Sequence, residues 1–219
     1  MENRRILTPF KIGIYLIIFF TIWSVRELVI RPMLSDSLDR LIFQIVESVI
    51  KLLIWTLPVI VLIKYYQNDM WISLKDMWTN KPRWFKDAPI LLIVFVPLLR
   101  SFIFNGGVVI DPDFHPTSLI GSVLFVGVTE EIVFRGFLLN ALLKKMKTYP
   151  AIALNEVLFV LIHFPFWIYL GFDFSTFLAG SFTVFLLGVL FSFSFIKTKN
   201  ILVPIVLHMT WNFLTVTLV

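Results

Sequence analysis

The sequence predicts an all-α fold, a polytopic membrane helix bundle with about seven transmembrane helices. Of the 219 residues, 58% are hydrophobic and 15% are charged, and the mean hydropathy is +0.90. Soluble domains contain roughly 45–50% apolar and about 25% charged residues. The apolar residues form long runs, and a bilayer requires such runs to be helices or closed barrels. The chain has no cysteine, which excludes disulfides, thiolate metal ligands and a cysteine nucleophile.

Seven stretches approach the ~20 residues that a helix needs to cross a bilayer. They are residues 10–30, 41–63, 89–109, 118–143, 151–170, 175–196 and 201–219. The basic N-terminus precedes the first stretch without a small-residue cleavage site, so we predict that this helix is retained. No internal repeat and no linker divides the chain.

The positions of lysine and arginine divide the loops between the two sides of the membrane. With seven alternating spans, one side carries Arg4, Arg5, Lys11, Lys64, Lys75, Lys81, Arg83, Lys86, Lys144, Lys145, Lys147, Lys197 and Lys199. The other side carries Arg31, Arg40 and the acidic stretch 111–117. Basic loops mark the cytoplasmic face. We therefore predict an integral membrane protein with its N-terminus in the cytoplasm. The net charge of +5 reflects this topology and indicates no nucleic-acid partner.

Residues 65–88 form an amphipathic loop between the second and third spans. Trp71, Leu74 and Trp78 share one helical face, and Lys75 and Asp76 point away from it. Tryptophan favours the interfacial depth of a bilayer. This loop is therefore predicted to anchor in the cytoplasmic interface, with substrate docking as the alternative.

Small residues recur in the sixth span. Gly180, Gly188 and Ser192 lie at multiples of four, which places them on one face and lets a neighbouring helix approach closely. We interpret this stripe as packing without chemistry.

The fourth span carries three charges, Glu130, Glu131 and Arg135. An ionisable residue at mid-bilayer costs about 2.5–3.5 kcal/mol on insertion scales and usually serves a function. Glu131 and Arg135 are four residues apart, so they can form an ion pair. Glu130 is rotated about 100° away from Glu131, so its carboxylate is left available. In the second span, Glu47 and Lys51 are also four apart and are predicted to form a structural pair.

Further polar residues lie at similar depth in later spans. At ~1.5 Å per residue, Glu130, His163 and His208 fall within a turn or two of one another, and Asn212 shares a face with His208. These groups could activate water and stabilise an oxyanion, or two histidines and a glutamate could hold a divalent metal. Because Glu130 and His208 fall in the inner half of their spans, we expect substrate to arrive from the cytoplasmic side.

Three motifs, in this order, give a resemblance to a known family. They are Glu-Glu-x-x-x-Arg at residues 130–135, Phe-x-x-x-His from Phe159 to His163, and His-x-x-x-Asn from His208 to Asn212. Together they resemble the CPBP family, the CAAX proteases and bacteriocin-processing enzymes also called Abi proteins. The resemblance covers about residues 118–215, within the helix core of residues 118–219. Residues 1–117 hold the first three spans of the same integrated bundle.

The resemblance implies an intramembrane endopeptidase acting on a membrane-associated protein or secreted peptide. Glu130 and His163 would hold and deprotonate the attacking water, and His208 and Asn212 would stabilise the oxyanion. Glu131, Arg135 and Phe159 would support the site. A zinc ion held by His163 and His208 and a metal-free glutamate mechanism both stay open. The composition favours a bacterial plasma-membrane member, engaged in peptide maturation or bacteriocin self-immunity.

Two other functions are compatible with the composition. A non-proteolytic immunity factor or regulatory partner could use the same fold as a scaffold, although a scaffold has no need of an unpaired glutamate inside the membrane. A proton-coupled transporter could use buried Glu and His as a relay. The lack of an internal repeat and the short chain argue against a transporter.

Overall fold

The computed structural model describes residues 6–83 and 89–219, and it confirms the all-α class. Arg4, Arg5 and Lys86, assigned above to cytoplasmic loops, lie outside the described residues. The helices of the described part are α1 (Pro9–Ser37), α2 (Arg40–Tyr65), α3 (Leu74–Thr79), α4 (Ile90–Asn105), α5 (119–143), α6 (Thr148–Leu161), α7 (Phe164–Tyr169), α8 (Phe174–Thr198) and α9 (Leu202–Thr217). These described ranges contain no strand, only an isolated antiparallel bridge between Ile110 and Leu218.

Four helical stretches are long and apolar enough to cross a membrane. They are α1, α2, α6 together with α7, and α8. Helices α4 and α9 are apolar but shorter. Helix α5 has the length of a span but carries Glu130, Glu131 and Arg135. Four membrane-capable helices are therefore supported, and the predicted number of seven is not confirmed.

Wide π-helical turns interrupt three of the longest helices. In α1 and α2 such turns, Arg26–Ile30 and Leu52–Thr56, lie just before Pro32 and Pro58. Proline has no N–H, and its ring clashes with the carbonyl four residues earlier, so the preceding turn opens. Helix α5 is wide over Leu119–Phe125 and again over Ile132–Leu139. Turns of this kind are frequent at functional sites. Here they contain the buried Arg26, Glu27 and Arg135, and those of α5 flank Glu130 and Glu131.

Segments predicted on the cytoplasmic side meet at one end of the bundle, called here the basic end. The Leu7 N–H donates to Asp69 Oδ2 at 2.6 Å. The Asn80 side chain donates to the Lys199 carbonyl at 3.0 Å, and the Ile201 N–H donates to the Met77 carbonyl at 2.9 Å. The residues just before α1, the described part of the loop between α2 and α4, and the α8–α9 corner thus form one layer.

The amphipathic prediction for residues 65–88 is partly reproduced. A short helix, α3, forms as expected, but Met77 is its buried residue, while Trp78 is 41% exposed. Trp71 and Leu74 pack against the core. The described part of the segment is therefore docked on the protein, and Trp78 stays partly exposed on its surface.

The segments predicted outside also meet, at the opposite end. The Asp111 N–H donates to the Thr217 carbonyl at 2.9 Å, and the Val219 N–H donates to the Val109 carbonyl at 3.2 Å. The loop after α4 is thus fastened to the C-terminus. The two predicted sides of the membrane correspond to two ends of the bundle.

An aromatic core fills the bundle between α1, α2 and α5. Phe19 lies 5.1 Å from Trp55 and 6.2 Å from Phe134, measured between ring centroids. Tyr15 packs edge-on against Phe137 at 5.1 Å. These residues occupy the half of the bundle nearer the basic end.

Asn140 is the residue that fastens the loop before α4 to α5, and its replacement tests this packing. Its fully buried amide donates to the Ile72 carbonyl at 2.9 Å and accepts from the Ile72 N–H at 2.8 Å. Asn140→Ala leaves both backbone groups of Ile72 unpaired, at about 1–3 kcal/mol each. We expect a clear fall in thermal unfolding temperature in detergent. Replacing the exposed Asn68 of the same loop by alanine serves as the control, and equal stability of the two variants would contradict the assignment.

Candidate active site

A fully buried ion cluster lies between α5, α6 and α8. Arg135 Nη1 donates to Glu131 Oε1 at 3.1 Å, and Arg135 Nη2 donates to Glu156 Oε2 at 2.6 Å. All three side chains are 0% exposed. The predicted pairing of Glu131 with Arg135 is therefore present, and Glu156 is a second partner. Such buried charges are tolerated because they are paired and hydrogen-bonded.

The small-residue stripe of α8 holds this cluster. Ser192 Oγ donates to Glu156 Oε1 at 2.5 Å, and the Gly188 carbonyl accepts from Arg135 Nη2 at 3.0 Å. A Cβ atom at Gly188 would overlap the Glu156 carboxylate. The predicted close approach of a neighbouring helix is present at Gly188, and the Gly188 carbonyl and the Ser192 hydroxyl also bind polar groups of the cluster.

His208 is oriented by the same cluster. Its Nδ1 lies 2.8 Å from Glu131 Oε1, and because a carboxylate only accepts, Nδ1 is the donor. The ring stacks on Phe191 at 5.1 Å with an interplanar angle of 22°. The other nitrogen, Nε2, faces Glu130 Oε2 at 3.9 Å. Glu131 therefore fixes which side of the imidazole faces Glu130.

Glu130 differs from its neighbour in its partners. Its side chain is buried, and Oε2 has no hydrogen-bond partner among the described residues. Glu131 Oε2 is likewise without a partner among the described residues, but Glu131 Oε1 accepts from both Arg135 and His208, whereas Glu130 accepts no hydrogen bond there. The predicted division between a paired and an available carboxylate is present in the structure.

His163 lies at the break between α6 and α7. Pro165 occupies the first turn of α7, and the His163 ring Nδ1 lies 3.0 Å from the Phe159 carbonyl. A carbonyl only accepts, so Nδ1 carries hydrogen and Nε2 of the neutral ring is an acceptor. The Phe159 ring packs against the His163 ring at 5.2 Å and against the Arg135 guanidinium at 4.4 Å. Phe159 thus connects His163 to the ion cluster.

A cavity of about 270 Å³ brings three of the four predicted catalytic residues to one space. Glu130, His163 and Asn212 line it, whereas His208 lies behind Glu130 and is not part of the wall. Asn212 Nδ2 donates to the Ser122 carbonyl at 2.9 Å. A second N–H of this amide is left for another acceptor.

The cavity lies toward the end of the bundle opposite the basic end. In α5 its wall consists of Gly121, Ser122, Val126 and Glu130, with no residue beyond Glu130. The expected approach from the basic, cytoplasmic side is therefore wrong for this cavity. Residue counting gives depth along a helix but not where side chains leave space, and the aromatic core fills the basic half.

The N-terminal helices contribute a second charged wall. Arg26 contacts both Glu27 and Glu47, and Arg31 Nη1 lies 3.2 Å from Glu27 Oε2. Glu47 is therefore engaged by Arg26, and the predicted pairing of Glu47 with Lys51 is wrong. Helices α1 and α2 thus complete a site whose other residues come from α5, α6 and α9.

The described site residues are not arranged as a set of metal ligands. Catalytic zinc takes three protein ligands. In residues 6–83 and 89–219, no group of three or more His, Asp or Glu residues is placed to hold a metal ion. His208 Nδ1 is occupied by Glu131, and His163 Nδ1 by the Phe159 carbonyl. The described residues as arranged do not fit zinc, so the reaction proposed below does not use a metal. Zinc binding stays an untested prediction.

Comparison with known families agrees with the motif resemblance. Residues 112–214, just under half of the chain, match the family model of type II CAAX prenyl endopeptidases, described as Rce1-like. This match confirms the resemblance to the CAAX proteases of the CPBP family. No curated protein and no solved structure matches the chain. The matched region contains every predicted site residue, and α1, α2 and α4 lie outside it.

Glu156 and Ser192 were not predicted as site residues. Glu156 precedes Phe159 and His163 by three and seven residues, so all three share one face of α6, and this spacing was the available signal. Ser192 gave no signal beyond the small-residue stripe.

Gly188 provides a test of the ion cluster. Gly188→Ala places a methyl group where the Glu156 carboxylate lies, so one partner of the buried pair must move. Breaking such a pair costs about 3–5 kcal/mol. We expect a large loss of thermal stability in detergent. Gly13→Ala, at a helical position with nothing within 4 Å of the new Cβ, is the matched control and should not lose stability. Similar unfolding temperatures for both variants would refute the role of Gly188.

Proposed function

We propose that the chain is an intramembrane endopeptidase in which Glu130 is the general base. Its Rce1-like region matches a protease family, which supports an enzyme acting on a peptide or protein substrate. The observation that carries the assignment is the Glu130 carboxylate, which lines a cavity beside His163 and has an oxygen without a hydrogen-bond partner in the described structure. A buried carboxylate in this state is suited to accept a proton.

The proposed reaction begins with a water molecule between Glu130 and the His163 ring. Glu130 removes one proton while the water oxygen attacks the peptide carbonyl carbon. The carbonyl π bond breaks, and its electrons form the oxyanion of the tetrahedral intermediate. Collapse of the intermediate re-forms the carbonyl and breaks the C–N bond. Glu130 then returns the proton to the departing amine, so that the carboxylate is regenerated.

His208 and Asn212 are the proposed oxyanion partners, Asn212 from the cavity wall and His208 from its position behind Glu130. Since His208 Nδ1 donates to Glu131, an Nε2 that donates to the oxyanion belongs to a ring with a proton on both nitrogens. Asn212 has one amide N–H on the Ser122 carbonyl and a second available. Arg135 and Glu156 would hold Glu131, and so His208, in place. Donors fixed before reaction stabilise developing charge most effectively.

The proposal also includes the membrane topology and the biological role of the protein. We infer seven spans with the basic end in the cytoplasm, since the basic loops gather at one end of the bundle. We further infer a bacterial plasma-membrane enzyme that matures a secreted peptide or confers bacteriocin self-immunity. Composition and family resemblance support these statements.

Substitutions of the two adjacent glutamates distinguish a catalytic role from a structural one. We expect Glu130→Gln to lower cleavage about 10²–10⁴-fold with the fold intact. Glu131→Gln should instead lower stability, because Arg135 and His208 each lose a charged acceptor. Strains with matched membrane levels are compared by mass spectrometry of peptides and new N-termini, and the purified variants by thermal unfolding. A Glu130→Gln protein that cleaves normally would eliminate the proposed base, and a cellular phenotype that survives this change would favour the scaffold function.

The crossing of α5 can be tested because the chain has no cysteine. Single cysteines replace the exposed Asp113 and Lys144, which flank α5. We expect a membrane-impermeant maleimide to label Asp113→Cys in intact cells and Lys144→Cys only after permeabilisation. Labelling of both from one side would show that α5 does not cross, and the reverse pattern would invert the orientation.

A further inference from the structure

Lys51 contributes a positive charge to the cavity from outside the Rce1-like region. It lies in the middle of α2 and lines the same space as Glu130, His163 and Asn212. Its ammonium lies 5.8 Å from the centre of the Trp23 ring. Within the part of the chain that the structure describes, Lys51 has no ion pair and no hydrogen bond.

Arginines engage the two acidic residues on the same wall as Lys51. Glu27 and Glu47 are these acidic residues, and they contact Arg26 and Arg31. Lys51 has no such partner, because its helical neighbour Glu47, four residues earlier, is turned to Arg26. Glu130, the carboxylate on the other side of the cavity, forms no ion pair with Lys51 among the described residues.

An unpaired ammonium inside a membrane bundle is costly. A lysine near the end of a span reaches the interface with its long stem, but Lys51 is at the middle of α2. Burial of a charge is tolerated when it serves binding or chemistry. The ammonium therefore calls for an anionic partner that arrives from outside the chain.

We propose that Lys51 binds a carboxylate of the bound peptide and thereby selects substrates with an acidic group near the bond to be cut. This inference rests on the proposed function, in that the cavity must receive a peptide. The carboxylate is an acidic side chain or the C-terminal carboxylate of the peptide. The ammonium acts as a specificity-determining contact, separate from the water activation assigned to Glu130.

The chemistry of the wall favours a carboxylate over a more highly charged anion. One lysine supplies a single point charge, which matches a single carboxylate. A phosphate group carries about −1.5 to −2 charges and is usually held by several basic groups. The nearby arginines are already paired with Glu27 and Glu47, which leaves Lys51 as the cation that can bind the anion.

Peptide capture tests the proposal without requiring cleavage. The Glu130→Gln protein in nanodiscs is incubated with short peptides of random sequence, and retained peptides are identified by mass spectrometry. The same protein with Lys51→Met, Lys51→Arg or Lys64→Met is treated identically. Lys64 is an exposed lysine of the same helix and is the matched control. A second library with C-terminal carboxamides distinguishes a terminal carboxylate from an acidic side chain.

We expect carboxylate-bearing peptides to be enriched about tenfold with Lys51 present, the effect of one charged hydrogen bond. Lys51→Met should abolish the enrichment, Lys51→Arg should retain part of it, and Lys64→Met should not alter it. Equal enrichment with and without Lys51, or none in the reference protein, overturns the proposal. If capture depends on Lys51 but the wild-type protein cleaves none of the captured peptides, the proposed function is refuted and the binding site is retained.

Thermal unfolding distinguishes substrate binding by Lys51 from a structural role of this residue. Methionine has a comparable length and no charge, so Lys51→Met should unfold at an equal or higher temperature than the wild type. A lower unfolding temperature would show that the ammonium has a stabilising partner in the protein, which also overturns the proposal.

Discussion

The site depends on one buried guanidinium. Arg135 joins its own helix to α6 through Glu156 and to α8 through the Gly188 carbonyl. Its other partner, Glu131, also accepts from His208 of α9. Four helices of the Rce1-like region therefore meet at one residue. In a medium without water, an arginine that lost one of these partners would be left with an unsatisfied charge, so their positions are set together.

This constraint explains how two adjacent glutamates acquire different properties. Consecutive helical residues point about 100° apart, so only one of the two can face Arg135. Glu131 takes that place, and Glu130 is turned toward the cavity and the His208 ring. The ion cluster is thus the support on which an available carboxylate is presented. The wide turn that begins at Ile132 lies directly after the pair and sets the register of Arg135 relative to both.

Residue identity and helical spacing were enough to predict the fold class, the Glu131–Arg135 pair and the grouping of Glu130, His163 and Asn212. They failed where contacts depend on helix packing. Glu47 was expected to pair with Lys51 because they are four residues apart, but Arg26 of another helix reaches it first. Glu156 and Ser192 form their contacts across α6 and α8, and no local pattern encodes that proximity. The position of the cavity likewise follows from where aromatic side chains fill the bundle.

The cavity wall is formed by two separate parts of the chain, and this arrangement bears on how the site selects its substrate. The Rce1-like region supplies the groups suited to water activation, and their geometry is tied to Arg135, which leaves little freedom to change them. Helices α1 and α2 lie outside that region and form the facing wall, including Trp23, Lys51 and Arg31. Arg26, Arg31, Glu27 and Glu47 of these helices are paired among themselves and form no ion pair with the Arg135 cluster. Substitutions in this wall can therefore alter which peptide fits without disturbing the proposed catalytic carboxylate. Substrate preference is accordingly expected to reside in α1 and α2, and hydrolysis in the helices of the Rce1-like region.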